Sequence, residues 1–418
     1  MKLCFRLLAS CVPLLAACAR PDSTPGPTPD LVLANVTVID GLGSAPRPNQ
    51  TIEVAAGRIT SVRPALRDEV GTLDAAGLFV TPGLIDSHKH IVQRDMDGIT
   101  RVLDSMLRTG ITSAREMACC AADYAEISAS ADTAHFTRLY WSAFWAGPTF
   151  MRDDPRIQPT YSSTGHASWL LAVTDTTDLD AALRGAREIG ATGIKIYSDL
   201  PPRLMTTIAT SANNAGMRVW SHPVVFPTRP SVVAASGVHV VSHAALFVWE
   251  GAAELPDTYN GSHPFNPFGP PAPYESLSPD APEVTAVLEI IRERGMILDA
   301  TIATISGSVG EEASVWAVEL TRRAHEMGIP ISTGTDGPSL FDETEMLVES
   351  VGLTPLEVIA SATSVGAAVI GVADDFGSVE VGKVADLVVY ENDPSADITV
   401  LRRPLFVIRG GKVVRPRS

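Results

Sequence analysis

Short apolar runs recur along the middle of the chain and are separated by longer amphipathic or polar stretches. Apolar strands that alternate with helices are typical of a parallel sheet that is buried on both faces. Eight such runs predict an α/β fold, a (β/α)8 barrel of the TIM type, with functional groups at the carboxyl ends of its strands. The predicted strands are Phe79–Asp86, Thr112–Arg115, Arg138–Ala143, Gly193–Tyr197, Arg218–His222, His239–His243, Met296–Thr301 and Ile331–Thr335.

Two segments between these strands have a clear helical pattern. Asp178–Ile189 places its apolar side chains near helical spacing, which predicts a helix. The sequence TPLE at Thr354–Glu357 is a capping box with proline at the first helical position, and it predicts a helix that continues through Val358–Val369. In contrast, residues 250–282 contain eight prolines and little periodicity. We expect this insertion in the barrel to serve as a lid or a binding loop.

Both ends of the chain are rich in alternating, β-branched runs, such as LVLANVTVIDG near the start and GSVEVGKVADLVVY near the end. Runs of this kind, separated by Gly, Pro and Asn turns, predict strands. The termini of a domain commonly lie close together. We therefore expect residues 31–80 and 378–416 to form one small composite β-sandwich, and residues 81–377 to form the barrel.

The N-terminus has the features of a targeting segment. Two basic residues precede an apolar run, Leu7–Ala17, that is too short to span a bilayer, which predicts a signal peptide over residues 1–17. The following cysteine completes LAAC, which resembles the lipobox of bacterial lipoproteins and implies cleavage before Cys18 and lipidation of it. A plain signal peptide cut nearby is the alternative. Residues 18–30 are Pro-rich and predict an extended tether, so we expect an exported, outer-membrane lipoprotein that faces the periplasm or the cell surface.

Composition limits the partners. The formal net charge is −16, which disfavours binding to nucleic acid because such proteins normally carry a basic patch. We expect contact with the membrane through the lipid anchor alone, and the sequence is compatible with a homo-oligomer. Without the targeting segment and Cys18, only the adjacent Cys119 and Cys120 remain, which excludes a disulfide framework. The pair is either a strained vicinal disulfide or two buried thiols, and we favour the thiols.

The first predicted barrel strand ends in His88-Lys89-His90. Residues at i and i+2 of a strand point to the same side, so both imidazoles can chelate one metal ion. Lys195 lies within an apolar strand, where an unpaired ammonium is costly. Either a nearby carboxylate pairs with it, or it carries CO2 as a carbamate, a reaction that suits a desolvated lysine of lowered pKa.

Three further polar residues close predicted strands. His222 and His243 each end a short β run, one β/α unit apart, and Asp336 follows the last strand beside glycines. A single histidine or aspartate in such a place is more often a packing or capping residue, but the set falls on one rim of the barrel. Neutral imidazoles, a carboxylate and a carbamate suit Zn²⁺ or a similar divalent ion.

With these residues in this order, the chain resembles the amidohydrolase superfamily, in its prolidase-like and imidazolonepropionase-like branch. The matching stretches, which span nearly the whole chain after the tether, are TPGLIDSHKH, GIKIY, SHP, SHAA, TGTDG, LTPLEVIASAT and GSVEVGKVADLVV. The resemblance implies two divalent metal ions, with zinc the expected one, and a carboxylated lysine that bridges them. The implied metal ligands are His88, His90 and Asp336 for one ion, His222 and His243 for the other, and Lys195 between them.

The resemblance and the charges together predict a metal-dependent hydrolase of an amide-type C–N bond in a dipeptide, an N-acyl amino acid or a cyclic amide. A hydroxide that bridges the metals would attack the carbonyl, and Asp336 would shuttle the proton. Tyr197 and His166 are candidate substrate contacts; ordinary packing or solvent exposure is the alternative for each. Two other functions stay open: a deaminase or an ester or phosphoester hydrolase on the same scaffold, and a non-catalytic binding lipoprotein. Deaminases of this superfamily usually lack the bridging lysine, so Lys195 disfavours a deaminase.

Overall fold

A computed structural model describes residues 28–91, 96–117, 135–164, 167–259 and 271–414 of the chain. Several predictions fall wholly or partly outside these ranges: the signal peptide, the lipidated Cys18, the tether of residues 18–30, the Cys119–Cys120 pair, His166, the middle of the 250–282 insertion and the end of the segment 378–416. Within the described ranges, no helix is both long enough and apolar enough to cross a bilayer.

The N-terminal strands belong to a sheet that is separate from the barrel. They are β1 (Leu31–Val38), β2 (Arg47–Ala55), β3 (Arg58–Pro64), β4 (Leu73–Asp74) and β5 (Phe79–Pro82).

The barrel strands follow in the chain. They are β6 (Leu84–Lys89), β7 (Ile111–Glu116), β8 (Arg138–Ala146), β9 (Leu170–Ala172), β10 (Gly193–Ile196), β11 (Arg218–Ser221), β12 (Val240–Ser242), β13 (Ile297–Asp299) and β14 (Ile331–Ser332). The C-terminal strands, which return to the first sheet, are β15 (Leu387–Tyr390), β16 (Phe406–Arg409) and β17 (Lys412–Val414).

Eight parallel strands form the barrel in the order β6-β7-β8-β10-β11-β12-β13-β14, and the short β9 pairs with β8. Backbone hydrogen bonds join the two ends of this order: Ser87 donates to the Thr333 carbonyl (3.0 Å) and Asp336 donates to the His88 carbonyl (2.8 Å). The predicted (β/α)8 barrel is therefore confirmed.

The first predicted barrel strand, Phe79–Asp86, is wrong in one respect. The structure divides this run into β5, which pairs with β1 and β15, and β6, which pairs with β7. Gly83 lies at the division, where a Cβ atom would be 2.2 Å from the Thr112 hydroxyl oxygen. The backbone passes from one sheet to the other at a point where only glycine fits against the neighbouring strand.

The sheet built from both termini has the order β17-β16-β15-β5-β1-β2-β3, and β4 pairs with β1. Its inward side chains form a hydrophobic cluster of their own, which includes Leu33, Ile52, Val80, Leu387 and Ile408, all fully buried. The additional β domain that the sequence predicts from both ends is thus confirmed, as one connected sheet, while its exact boundaries remain a prediction.

Helices surround the barrel strands. They are α1 (Met96–Arg108), α2 (Pro148–Asp153), α3 (Gln158–Thr164), α4 (Leu179–Glu188), α5 (Pro202–Asn214), α6 (Pro230–Ala235), α7 (Pro282–Glu293), α8 (Ile302–Ser308), α9 (Glu311–Glu326), α10 (Leu340–Met346), α11 (Pro355–Ala360) and α12 (Gly366–Ile370). Short 3₁₀ turns cover Ala244–Gly251, Tyr274–Ser276 and Ile398–Arg402, and π turns cover Leu347–Val351 and Ser361–Val365.

Both predicted helices are present. The Asp178 side chain caps α4 by accepting the N–H of Ala181, as expected for an N-cap aspartate. Thr354 and Glu357 form the predicted capping box at the start of α11. The helix then continues through the π turn into α12, so it reaches Ile370, close to the predicted end.

The barrel interior beneath the strand ends is filled by side chains. Met117, Trp220, Val240 and Ile297 form a buried cluster with Val369 of α12. A plug of this kind is usual in barrels of this size, and it leaves the carboxyl ends of the strands as the place where polar side chains can gather.

One buried carboxylate holds α8 against the barrel. Glu343 of α10 is fully buried, and its two oxygens accept the backbone N–H groups of Ile302 (3.0 Å) and Ala303 (2.8 Å) at the start of α8. These N–H groups have no partner within their own helix, since they lie in its first turn.

We predict that Glu343→Ala lowers the free energy of unfolding by about 2 to 4 kcal/mol, because it leaves two buried N–H groups unsatisfied. Denaturant unfolding measures the loss. The matched control is Asp342→Ala, whose side chain is half-exposed and pairs with Arg402 at the surface; it should cost less than about 1 kcal/mol. Equal losses for the two variants would contradict the assigned role of Glu343.

Candidate metal centre

All six residues that the sequence predicts as metal ligands line one cavity of about 330 Å³ at the carboxyl ends of the barrel strands. They come from five strands: His88 and His90 from the end of β6, Lys195 from β10, His222 after β11, His243 after β12 and Asp336 after β14. The carboxyl ends of parallel barrel strands meet on one rim, which brings side chains distant in sequence together.

The side chains are close enough to share bound ions. Ligand atoms of His88, His90 and Asp336 lie within 4.8 Å of one another. The ring centroids of His88 and His243 are 4.9 Å apart, and those of His243 and His222 are 4.8 Å apart. Among the described residues, His88, His90 and Asp336 form a group that could hold a metal ion; the second predicted set, His222 and His243, stays a prediction.

Asp299, at the end of β13, orients His88. One of its oxygens lies 2.8 Å from His88 Nδ1 and also accepts hydrogen bonds from Ser242 (2.9 Å) and from Arg115 (3.2 Å). The contact favours the tautomer with a proton on Nδ1, which leaves the Nε2 lone pair of His88 for a cation. The carboxylate is fully buried, so these three donors offset its desolvation.

Asp336 lies between the imidazoles. Its Oδ1 is 2.8 Å from His90 Nε2 and 3.7 Å from His88 Nε2, and its Oδ2 is 3.9 Å from His243 Nδ1. Burial raises the pKa of Asp336, but the neighbouring His88 and His90 outweigh it and lower the pKa overall. Burial opposes the charge on His90, yet Asp336 and Glu116 raise the pKa of His90 to about 9. Asp336 is therefore an anion that a bound cation can share with the imidazoles.

The other three imidazoles are held neutral. Burial lowers the pKa of His88 to about 4 and that of His243 to about 3, and it lowers the pKa of His222 well below the usual value. The Nδ1 atom of His243 contacts the Thr301 hydroxyl at 2.8 Å. Neutral imidazole is the form that coordinates a metal ion.

Lys195 is a buried lysine with no partner. Its side chain is 1% exposed, and Nζ makes no hydrogen bond within the described residues. Burial, followed by the positive charge of Arg115, lowers the pKa of Lys195 to about 7. The carboxylate pairing that the sequence left open is not found among the described side chains, and a buried amine of this kind is half neutral near pH 7.

These features fit the binding of divalent metal ions in the cavity. Buried groups normally have hydrogen-bond partners, yet Lys195 Nζ and His222 Nδ1 have none among the described residues. The set offers nitrogen and carboxylate donors, which suit Zn²⁺ and similar ions. His88, His90, His222, His243 and Asp336 would hold such ions, and Lys195 lines the same cavity.

The backbone at the site is strained. His243 (φ 75°), Thr301 (φ 51°) and Asp336 (φ 51°) all adopt the left-handed region although none is glycine. Such residues cost about 1 to 3 kcal/mol each and gather at functional sites, where the surrounding fold imposes them. Each of the three follows a barrel strand; the side chains of His243 and Asp336 line the cavity, and Thr301 contacts His243.

Of the two predicted substrate contacts, the structure describes one. Tyr197 lines the cavity, and its ring centroid is 4.2 Å from that of His222. His166 lies outside the described residues, so its predicted contact stays a prediction.

Four residues at the site were not predicted from the sequence. Asp299 and Arg115 are charged residues within apolar strands, the same signal that pointed to Lys195, and that signal would have found them. Arg156 and Tyr259 also line the cavity, but they come from irregular segments, where no periodic pattern marks them.

Comparison with known proteins supports the family resemblance. Residues 280–414 match the amidohydrolase family, which confirms the resemblance to the amidohydrolase superfamily seen in the sequence motifs. No curated protein matches the chain in sequence.

Several solved structures share the fold over nearly the whole chain. A putative prolidase from Bifidobacterium longum is 22% identical with a TM-score of 0.68, covering 93% of this chain and 95% of its own. A Xaa-Pro dipeptidase with methionine bound in its active site is 18% identical with a TM-score of 0.70, covering 92% of this chain and 99% of its own. The ochratoxinase of A. niger is 18% identical with a TM-score of 0.71, covering 93% of this chain and 96% of its own. At these identities the likeness shows the fold alone.

We predict that Asp299→Asn weakens zinc binding about 10- to 100-fold, because the amide no longer holds His88 in the coordinating tautomer. Titration of the metal-free protein with zinc against a chelator of known affinity measures the change. Asp375→Asn is the control, since Asp375 pairs with Arg58 at the surface and its side chain is 50% exposed. An unchanged zinc affinity in Asp299→Asn would show that Asp299 does not orient a ligand.

Proposed function

We propose that this protein, which matches the amidohydrolase family and shares the fold of the solved relatives, is a metal-dependent hydrolase of amide-type C–N bonds. The substrate would be a dipeptide, an N-acyl amino acid or a cyclic amide. One observation carries the proposal: four imidazoles, the Asp336 carboxylate and Lys195, whose Nζ has no hydrogen-bond partner among the described residues, line a single cavity.

The proposed ligand sets follow the geometry. His88, His90 and Asp336 would hold one divalent ion, and His222 and His243 would hold the other; zinc is the ion we expect. When bound, the two ions polarise the scissile carbonyl and lower the pKa of a water molecule toward neutrality.

Asp336 would move the proton. Its carboxylate faces the cavity and lies among His88, His90 and His243. In the proposed reaction the attacking water forms a bond to the carbonyl carbon and gives a proton to Asp336. Asp336 then delivers that proton to the leaving nitrogen as the C–N bond breaks. The products are a carboxylic acid and an amine.

Lys195 would become a bridging ligand through its carbamate. The neutral amine attacks CO2, a C–N bond forms, and one proton is released to solvent. The buried Nζ without a hydrogen-bond partner and the lowered pKa both support this reaction. The carbamate also replaces an unpaired buried amine with an anion that bound cations satisfy.

The solved structures that share the fold support a peptide-like amide as the substrate. Two of them are described as a prolidase and as a Xaa-Pro dipeptidase. A deaminase, an ester hydrolase or a non-catalytic binding protein on the same scaffold are the outcomes that an experiment must separate.

We predict that the zinc-loaded protein cleaves members of a panel of dipeptides, N-acyl amino acids and cyclic amides, releasing an amine without free ammonia. Asp336→Asn should retain much of the metal and lose about 10²- to 10⁴-fold in kcat, since it removes the proton carrier. Product analysis and metal content measure both results. Ammonia release from an amino-substituted base would favour a deaminase instead, and metal binding without turnover would favour a binding protein.

We predict that Lys195→Ala loses both bound metal and activity, with partial rescue by short carboxylic acids that replace the carbamate oxygens. Metal content with and without added acetate or propionate measures the rescue. Lys383→Ala is the matched control, because the Lys383 side chain is partly exposed, lies outside the cavity and donates to the Ala373 carbonyl. Full metal content and activity in Lys195→Ala would exclude the bridging role.

A further inference from the structure

One wall of the cavity carries a charge that the proposed metal centre does not use. Most of the lining outside the ligand set is apolar or aromatic, and includes Phe144, Ile157, Leu246 and Val309. Among the described residues that line the cavity, Arg156 is the one fully ionised cation outside that set. An arginine facing an apolar cavity is a recognition element for an anionic group, since its guanidinium matches carboxylate geometry.

Asp154 holds Arg156 in place from the side that faces away from the cavity. The guanidinium makes two hydrogen bonds to the Asp154 carboxylate, from Nε (3.0 Å) and from Nη2 (2.7 Å). The Asp154 side chain is fully buried, whereas 34% of the Arg156 side chain is exposed. Asp154 does not line the cavity, while Arg156 does. The pair therefore presents its positive end to a ligand and keeps its negative end covered.

Two tyrosines extend this polar wall. Arg156 Nη2 donates to the Tyr197 hydroxyl oxygen at 3.3 Å, and the Tyr259 hydroxyl also hydrogen-bonds to Tyr197. The guanidinium lies 5.9 Å from the Tyr197 ring centroid and 5.8 Å from that of Tyr259. With Tyr259 as donor, both acceptor positions of the Tyr197 oxygen are used, so Tyr197 can give its own proton to a ligand.

The position of Tyr259 is set by its backbone. Its N–H donates to the Asp199 carboxylate at 2.7 Å, which ties the start of the 250–282 insertion to the loop after β10. Asp199 also accepts a hydrogen bond from Ser198 at 2.9 Å. The donor wall thus rests on residues anchored in the barrel.

We propose that Arg156 and the Tyr197 hydroxyl form an anion subsite that binds a free carboxylate of the substrate. This inference rests on the proposed amide hydrolysis and narrows its substrates. The Tyr197 ring lies directly beside that of His222, so a carboxylate held here is only a few bonds from the scissile carbonyl. A carboxylate on the carbon attached to the amide nitrogen lies within this reach. The preferred substrates are then N-acyl amino acids and dipeptides with a free C-terminus, and cyclic or simple amides without a carboxylate are disfavoured.

The test compares two ligands that differ only in charge: N-acetyl-L-leucine and N-acetyl-L-leucinamide. Calorimetric binding to zinc-loaded Asp336→Asn protein separates recognition from turnover. We expect the acid to bind about 10- to 100-fold more tightly than the amide, as a charge-assisted hydrogen-bonded contact contributes. Arg156→Met should remove most of this preference and leave the affinity for the amide nearly unchanged.

A nearby arginine supplies the matched control. Arg152 lies in α2, is 67% exposed and pairs with Asp153 outside the cavity, so Arg152→Met should keep the full preference for the acid. Tyr197→Phe, which keeps the packing and removes only the donor, should reduce the preference by a smaller factor. Thermal unfolding of each variant checks that the fold is intact, and Tyr197→Phe still tests the subsite if Arg156→Met does not fold.

Each possible result either supports or overturns the proposed anion subsite. Equal affinity for acid and amide, no binding of either, or a preference that survives Arg156→Met would overturn the subsite. Wild-type turnover of both ligands at equal rates would do the same and leave the proposed hydrolase intact. An Arg156-dependent preference in a protein that cleaves no amide would support the subsite and refute the proposed function.

Discussion

The buried carboxylate of Asp299 joins four strands of the barrel at the level where the candidate ligands begin. It contacts His88 from β6, accepts from Arg115 of β7 and from Ser242 of β12, and itself ends β13. An unpaired anion in this place would be expensive, and each donor that offsets its cost is thereby fixed in position. Space for the carboxylate depends on Gly334, where a Cβ atom would lie 2.0 Å from an Asp299 oxygen.

The side chains above this carboxylate are buried, and they differ in charge. The imidazoles of His88, His222 and His243 are neutral and Asp336 is an anion. Lys195 has an amine whose protonated form is destabilised by the same surroundings. A cavity with these properties suits a divalent cation, because such an ion would satisfy the lone pairs and the negative charge together. Arg156 and Tyr197 supply donors on the wall beside His222, and most of the remaining lining is apolar or aromatic.

The barrel and the six proposed ligands could be read from the sequence because each rests on a local signal. Apolar runs marked the strands, and a polar residue at the end of such a run marked His222, His243 and Asp336. The Phe79–Asp86 run was assigned to one strand because its apolar pattern does not change at Gly83, where the chain leaves one sheet for the other. Arg156 and Tyr259 could not be found in this way, because their position depends on contacts between segments far apart in the chain and on no periodic pattern.

The strands of the small sheet come from both ends of the chain, and β5 lies between β1 and β15. During synthesis on the ribosome, β5 therefore has one free edge until almost the last residues have been made. An unpaired edge of this kind invites pairing with other chains. The barrel, whose strands are contiguous in the chain, can close earlier, and arrival of the C-terminal strands is then the step that ends the exposure of this edge.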